Sequence, residues 1–258
     1  MRFSLLQSVL LGFAATSTAI YNGAVASDPN AIGVVRIQSR YNNDDRHTGV
    51  VLGNGKCLIT AAHAASTGYI AFKNKKGQNN ISDTDDWVAI SSVHTHPMWK
   101  GRNTIYHDPS AYDFAVVELE SRMDASPWKI SQTRGDYRDI TLYGWGDISG
   151  QQKYPSELLS SVDKSRVVEK WSQCTKWKDI VGAICITSRS GSSSDGLNCD
   201  GDSGAPGVTN GYVVGITSAK NDWCSKQTAG LLAGLSGSNQ EDFLRKYAST
   251  CGFTFGKP

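Results

Sequence analysis

The sequence predicts an all-β chain that ends in a single α-helix, and three observations carry that prediction. Short β-branched runs recur at residues 32–38, 49–52 and 114–119, each the length of a strand rather than a helix. Asn54-Gly55 stands between Val50-Val51-Leu52 and Cys57-Leu58-Ile59-Thr60, a strong hairpin signal because both residues accept positive φ. Seven tryptophans accompany a scarcity of apolar residues at helical spacing. The exception is residues 239–247, where Asn239 suits a helix cap, Glu241 and Asp242 fall in the first turn, and Arg245 and Lys246 come later, as the helix dipole favours.

At 258 residues, 39% hydrophobic and 19% charged, the chain is long enough to bury a substantial core. Its net charge is only +2, so it lacks the charge excess that nucleic acid or an anionic membrane would attract. Residues 1–19 read as a secretory signal peptide. Arg2 gives the positive start, residues 3–15 form an apolar run too short to span a bilayer, and Ser17-Thr18-Ala19 offers small residues for cleavage. A buried N-terminal strand is the alternative. Removal of the segment leaves 25 basic against 24 acidic side chains, a charge of +1. Export, to a periplasm or beyond, implies an oxidising compartment in which six cysteines can form disulfides.

Chemistry concentrates in Cys199-Asp200-Gly201-Asp202-Ser203-Gly204-Ala205-Pro206. A serine hydroxyl is a poor nucleophile until a base takes its proton and the resulting oxyanion is stabilised. Glycines around Ser203 let the backbone turn sharply and expose the hydroxyl, and the N–H groups of Gly201 and Ser203 can converge on one point. Alone, this stretch is equally well a glycine-rich surface turn. Two further residues change the balance. His63 follows the strand 57–60, where a rigid scaffold can place an imidazole as general base and then general acid. Asp113 opens the apolar strand 114–119, where a half-buried carboxylate needs a donor such as the ring N–H of His63.

Thr60-Ala61-Ala62-His63, Asp113-Phe114-Ala115-Val116-Val117 and the Ser203 stretch together resemble the trypsin/chymotrypsin family of serine proteases, from about residue 20 to the C-terminal helix. The order His, Asp, Ser separates the chain from α/β-hydrolases, and Ala205 stands where G-x-S-x-G needs its second glycine. The resemblance implies two packed six-stranded antiparallel β-barrels, residues 20–127 and 128–258, with the active site between them. Ile20-Tyr21-Asn22-Gly23 is similar to the family's mature start, whose new α-ammonium pairs with the aspartate before the nucleophile, here Asp202. Cleavage after Ala19 would expose Ile20 directly; a short propeptide is the alternative.

By the same resemblance Cys174 pairs with Cys185 and Cys199 with Cys224. Cys57 and Cys251 have no family counterpart, but the Cys57 strand packs near the C-terminal helix in relatives and Cys251 follows that helix here, so these two are expected to pair. Thr48 and Ala64 occupy both positions of a family disulfide that usually brackets the histidine, so stiffness there is expected from packing. The substrate pocket falls on Leu197 as floor, with Asp200, Ser218, Ala219, Lys220 and Gly230 on its walls. Leucine cannot offset the desolvation of a basic side chain, so small or apolar residues are expected before the cleaved bond unless Asp195 reaches the pocket. Lys220 either narrows the mouth or pairs with Asp200. Tyr143-Gly144-Trp145-Gly146 matches a structural family turn. The carboxylates at 83, 85 and 86 lie where some relatives bind calcium, but a solvated loop is expected. His94 and His96 lack a third ligand, so no metal and no cofactor are expected.

The resulting expectation is a secreted, monomeric serine endopeptidase acting on protein or peptide substrates, with no nucleic acid and no membrane as partner after signal cleavage. Two rivals remain open: a silent relative that binds a partner in the same cleft, and an esterase or acyl transferase on the same fold.

Overall fold

Hairpin chemistry and strand alternation close the first half into a barrel. In the computed structural model, residues 20–26, 33–42, 45–72, 87–101, 111–124, 127–133, 137, 139–147, 160–167, 174, 180–188 and 196–258 are described. Residues 1–19, expected to be a signal peptide, the polar stretch 73–86 and Asp195 lie outside them. After the short β1 (Ala24–Val25) come β2 (Val34–Ser39), β3 (Arg46–Leu52), β4 (Cys57–Thr60), β5 (Tyr69–Phe72), β6 (Trp87–Thr95) and β7 (Ala115–Leu119). They pair antiparallel in the order β2-β3-β4-β7-β6-β5 and close. The β3–β4 turn spans four residues, with the positive φ values on Gly53 and Gly55 rather than on Asn54. Asn54 instead ties the turn to the chain's far end. Its N–H donates to Cys251 O (2.8 Å) and its side-chain amide to Thr250 O (3.1 Å).

The second half adds β8 (Lys129–Ser131), β9 (Ile140–Gly144), β10 (Ser160–Val167), β11 (Ala183–Thr187), β12 (Pro206–Thr209), β13 (Tyr212–Lys220), β14 (Ala229–Gly234) and β15 (Phe255–Gly256). Six of these, β9-β10-β11-β14-β13-β12, pair antiparallel in a closed circuit, and β1 joins at β10. β8 differs from the antiparallel expectation, running parallel to both β13 and β15. It is the strand that enters from the first half, and a crossover rather than a hairpin delivers it.

Helix α1 (Ser238–Cys251) is longer than the pattern at 239–247 implied. Gly237 is the cap, because Glu241 N–H donates to Gly237 O (2.8 Å) and starts the helix two residues earlier; Asn239 lies in its first turn. Gln240, Phe243, Leu244 and Cys251 form its buried stripe. Gly252 ends it in the left-handed region at φ 65°.

One hydrophobic cluster spans both sheets and the helix, with Val34, Leu52, Phe114, Trp128, Trp145, Ile216, Phe243 and Leu244 among its members. Burial of each such side chain contributes about 1.5–3 kcal/mol. That shared core holds the two halves in register and therefore holds the cleft between them. Among the described residues no helix is long and apolar enough to cross a membrane.

Cys57 is bonded to Cys251 across 194 residues, Cys174 to Cys185, and Cys199 to Cys224. The first closes the longest loop and so constrains the unfolded chain most. Replacing both Cys57 and Cys251 with serine is expected to cost about 2–5 kcal/mol of unfolding free energy, read from urea titration.

Candidate active site

Strand register brings the histidine and the aspartate together. Thr60, the last residue of β4, pairs with Ala115, the first of β7. His63 lies just past that strand end, in the one-turn helix Ala62–Ala64, and Asp113 lies just before the neighbouring strand. His63 N–H donates to Asp113 Oδ1 (2.9 Å) and His63 Nδ1 to Asp113 Oδ2 (2.6 Å). Ser203 comes from the second half, in the turn before β12. Its Oγ stands 2.8 Å from His63 Nε2. Ser218 sits at a bulge in β13 and donates its hydroxyl to Asp113 Oδ2 (2.6 Å).

This network assigns the protons. Asp113 is fully buried, and its two carboxylate oxygens accept from three donors. A carboxylate can only accept, so His63 Nδ1 carries the hydrogen and Nε2 is left to accept from Ser203 Oγ–H. The arrangement can move a proton from the serine to the ring at the moment the oxygen attacks.

Behind the serine, residues 199–203 are held by their carbonyls and by one buried carboxylate. Asp147 N–H donates to Asp200 O (2.6 Å), Thr48 Oγ1 to Gly201 O (3.0 Å) and Thr48 N–H to Ser203 O (2.9 Å). Cys199 N–H and Gly146 N–H both donate to the Asp202 carboxylate, at 2.7 and 2.8 Å. Neither Gly201 N–H nor Ser203 N–H has a protein acceptor among the described residues. Gly201 takes φ 91°, which a side chain would resist.

Asp202 is fully buried, and burial pushes its carboxyl up to about 7 despite those two N–H donors; Asp200 adds to the rise and Lys220 opposes it. Ile20 is also fully buried. A Cβ on Gly144 would strike the Asp202 carboxylate and stand 3.4 Å from Ile20 Cγ1, so the two residues flank the same glycine. Gly146 is likewise closed to any side chain by Asp202. The Gly-Trp-Gly turn therefore makes room for this carboxylate.

Sequence reasoning missed three residues here. Thr48 is the first. Its hydroxyl also accepts from Trp145 N–H (3.1 Å), and its carbonyl accepts from Thr60 Oγ1 (2.7 Å). Stiffness at this point comes from directed hydrogen bonds and not from packing alone. Thr48→Val is expected to lower kcat about 5- to 100-fold, the loss of one or two buried hydrogen bonds, with KM little changed and Thr48→Ser restoring most of it. The second is His47, whose ring centroid lies 6.2 Å from that of His63. Its Nε2 is 3.0 Å from Asp45 Oδ1, and Tyr69 donates its hydroxyl to the same carboxylate. The third is Asn198, taken up below.

The expected pocket residues do gather, with changes of role. Lys220 Nζ pairs with Asp200 Oδ2 at 2.7 Å, one of the two outcomes foreseen for it. Ala219 and Ser218 line β13, and Gly230 pairs with Lys220 in β14. Leu197 turns into the core cluster with Ile20, Ile186 and Leu232. Cys199, Asp200 and Cys224 lie close together, but both sulfurs are bonded to each other and offer no thiolate. His94 is bound to Glu118 (2.8 Å). His96 has both nitrogens engaged, with Met98 N–H and Asn239 O, and burial holds its imidazole below the usual range.

The Trypsin family model matches residues 20–239. A chymotrypsin-like serine proteinase of Haliotis rufescens is 30% identical over 193 residues, covering 69% of this chain and 71% of that protein. Kallikrein-8 of Rattus norvegicus is 24% identical over 184 residues, covering 69% and 68%. The solved structure of neuropsin, a serine protease expressed in the limbic system of mouse brain, superposes with a TM-score of 0.71 at 19% identity. It covers 88% of this chain and 99% of its own. The chain belongs to the trypsin family of serine peptidases.

Proposed function

We propose that the protein is a secreted serine endopeptidase that cleaves protein or peptide substrates through an acyl-enzyme. The observation that carries the reading is the chain of short contacts from Ser203 Oγ to His63 Nε2 and from His63 Nδ1 to Asp113. Ser203 Oγ attacks the scissile carbonyl while His63 Nε2 takes its proton. The carbonyl oxygen, now an oxyanion, accepts from Gly201 N–H and Ser203 N–H, each worth about 3–4 kcal/mol to such a state. His63 returns the proton to the leaving amine, whose C–N bond breaks to leave an ester on Ser203. Water, deprotonated by the same ring, then releases the acid.

Ile20 supplies the activating group in this reading. Cleavage after Ala19 would free an ammonium beside Asp202 and fix the 199–203 loop. Residues 20–127 and 128–258 act as two halves that meet at the triad, and residues 1–19 direct export, in keeping with three disulfides. A floor without a carboxylate favours small or apolar residues at P1, the position before the cut bond.

A fluorophosphonate probe tests the core of the proposal, because it reacts only with an activated serine. Protein beginning at Ile20 is expected to take up one probe at Ser203, located by peptide mass spectrometry, and Ser203→Ala none. Correctly cut protein that takes up no probe would overturn the assignment in favour of a silent binder.

A further inference from the structure

We propose that Asn198 fills the P1 pocket with its own amide and is the residue that sets P1 choice, restricting it to glycine and alanine. The proposal rests on the peptidase reading above and names the substrate class of that same site.

Successive residues of an extended segment point to opposite sides. Leu197 and Asn198 do so here, and their fates are opposite. Leu197 is committed to the core with Ile20, Ile186 and Leu232, and so cannot serve as a floor for substrate. Asn198 turns the other way, into the gap between the 197–200 segment and the two strands that face it. Its Nδ2 donates to Ala219 O on β13 (3.2 Å). Its Oδ1 accepts from Gln227 Nε2 (3.0 Å). The same Oδ1 stands where a Cβ on Gly230 would project from β14. Gly230 has no side chain, and the space this leaves is occupied by Asn198 rather than open for a ligand.

Asn198 is 3% exposed and Gln227 1%, so the amide is anchored on both sides in a site closed to water. Nearer the surface the Lys220–Asp200 ion pair spans the same gap at 2.7 Å, and Lys220 Nζ also lies 3.2 Å from Cys224 Sγ. The facing walls are therefore linked twice, by a buried amide inside and an ion pair at the rim. A branched or aromatic P1 side chain must displace the inner link and leave the Ala219 carbonyl and the Gln227 amide without partners. A site whose buried polar groups are left unpaired by a ligand discriminates strongly against that ligand. Hydrogen or methyl at P1 requires no displacement.

The test measures kcat/KM on peptide substrates that differ only in P1, as Gly, Ala, Val, Leu or Phe, using protein that begins at Ile20. The parent is expected to favour Ala over Leu by about 100-fold or more. Asn198→Ala and Asn198→Ser are each expected to shift that ratio at least about tenfold toward Leu. Lys220→Ala, which removes only the outer link, is expected to shift it less. A parent that cleaves after Leu or Phe as fast as after Ala would overturn the proposal without any variant. So would a ratio that Asn198 substitutions do not move, or that Lys220→Ala moves more.

Labelling of Ser203 in the same samples separates the two levels of argument. A labelled serine with no P1 discrimination defeats the pocket proposal alone. An unlabelled serine in the cut parent defeats the peptidase reading and the pocket proposal with it.

Discussion

Asp113→Asn is expected to lower kcat by about 10⁴-fold while the protein remains folded. The reason lies in what each atom of Asp113 does. Oδ2 accepts from both His63 Nδ1 and Ser218 Oγ at 2.6 Å, and Oδ1 accepts from His63 N–H at 2.9 Å. An asparagine keeps the shape but offers one oxygen and one NH₂ in place of two acceptors. With the NH₂ toward His63, the ring must present a bare Nδ1 and carry its hydrogen on Nε2. Nε2–H then faces Ser203 Oγ as a donor, and the base is lost. The assay is steady-state hydrolysis of a P1-alanine peptide, with circular dichroism to show that the fold persists. A loss of less than about tenfold would mean that Asp113 does not set the tautomer.

The second large effect belongs to the N-terminus. Protein that begins at Ile20 is expected to exceed protein still carrying residues before it by about 10²–10⁴-fold in kcat/KM. That is the rate equivalent of the about 3–5 kcal/mol attached to completing a buried ion pair. The pH dependence of stability gives an independent sign. In the uncut chain the Asp202 carboxyl is raised by burial to about 7, against an ordinary value of 3.8. Between those two values the folded state holds a proton that the unfolded state has released, so stability falls as pH rises from about 4 to about 7 and levels off above. The loss is on the order of 4 kcal/mol. Urea titration of the uncut Ser203→Ala chain between pH 4 and 8, set against Asp202→Asn in the same background, isolates this slope. Cutting before Ile20 should remove it, because the new ammonium favours the carboxylate. A slope of the opposite sign, or one that survives in Asp202→Asn, would contradict the account of Asp202.

Much of this site is legible in the sequence because its chemistry is local. His63 and Asp113 each abut a strand whose apolar run is plain, and the Thr60–Ala115 register then leaves them no choice but to meet. The glycines around Ser203 mark a turn that side chains could not make. Two of the cysteine pairs follow from a resemblance and the third, Cys57–Cys251, from the closeness of its strand to the C-terminal helix in relatives; all three are found bonded. What escapes the sequence is contact between distant segments. Thr48 reads only as the occupant of a missing disulfide's position, with packing expected to supply stiffness, yet its hydroxyl holds a loop 153 positions later through Gly201 O. Leu197 reads as a pocket floor because its position in the chain is right, but an apolar side chain next to a forming core goes into the core. Asn198, one residue on, inherits the pocket. Helix α1 starts earlier than Asn239 suggests because a backbone bond to Gly237 decides it.

The most direct test of the central claim is cleavage-site mapping by mass spectrometry on a diverse peptide mixture, with protein beginning at Ile20 and Ser203→Ala as its control. The account predicts many internal cuts, concentrated after small residues, and none from the control. No cuts from the parent, or the same cuts from Ser203→Ala, would contradict it.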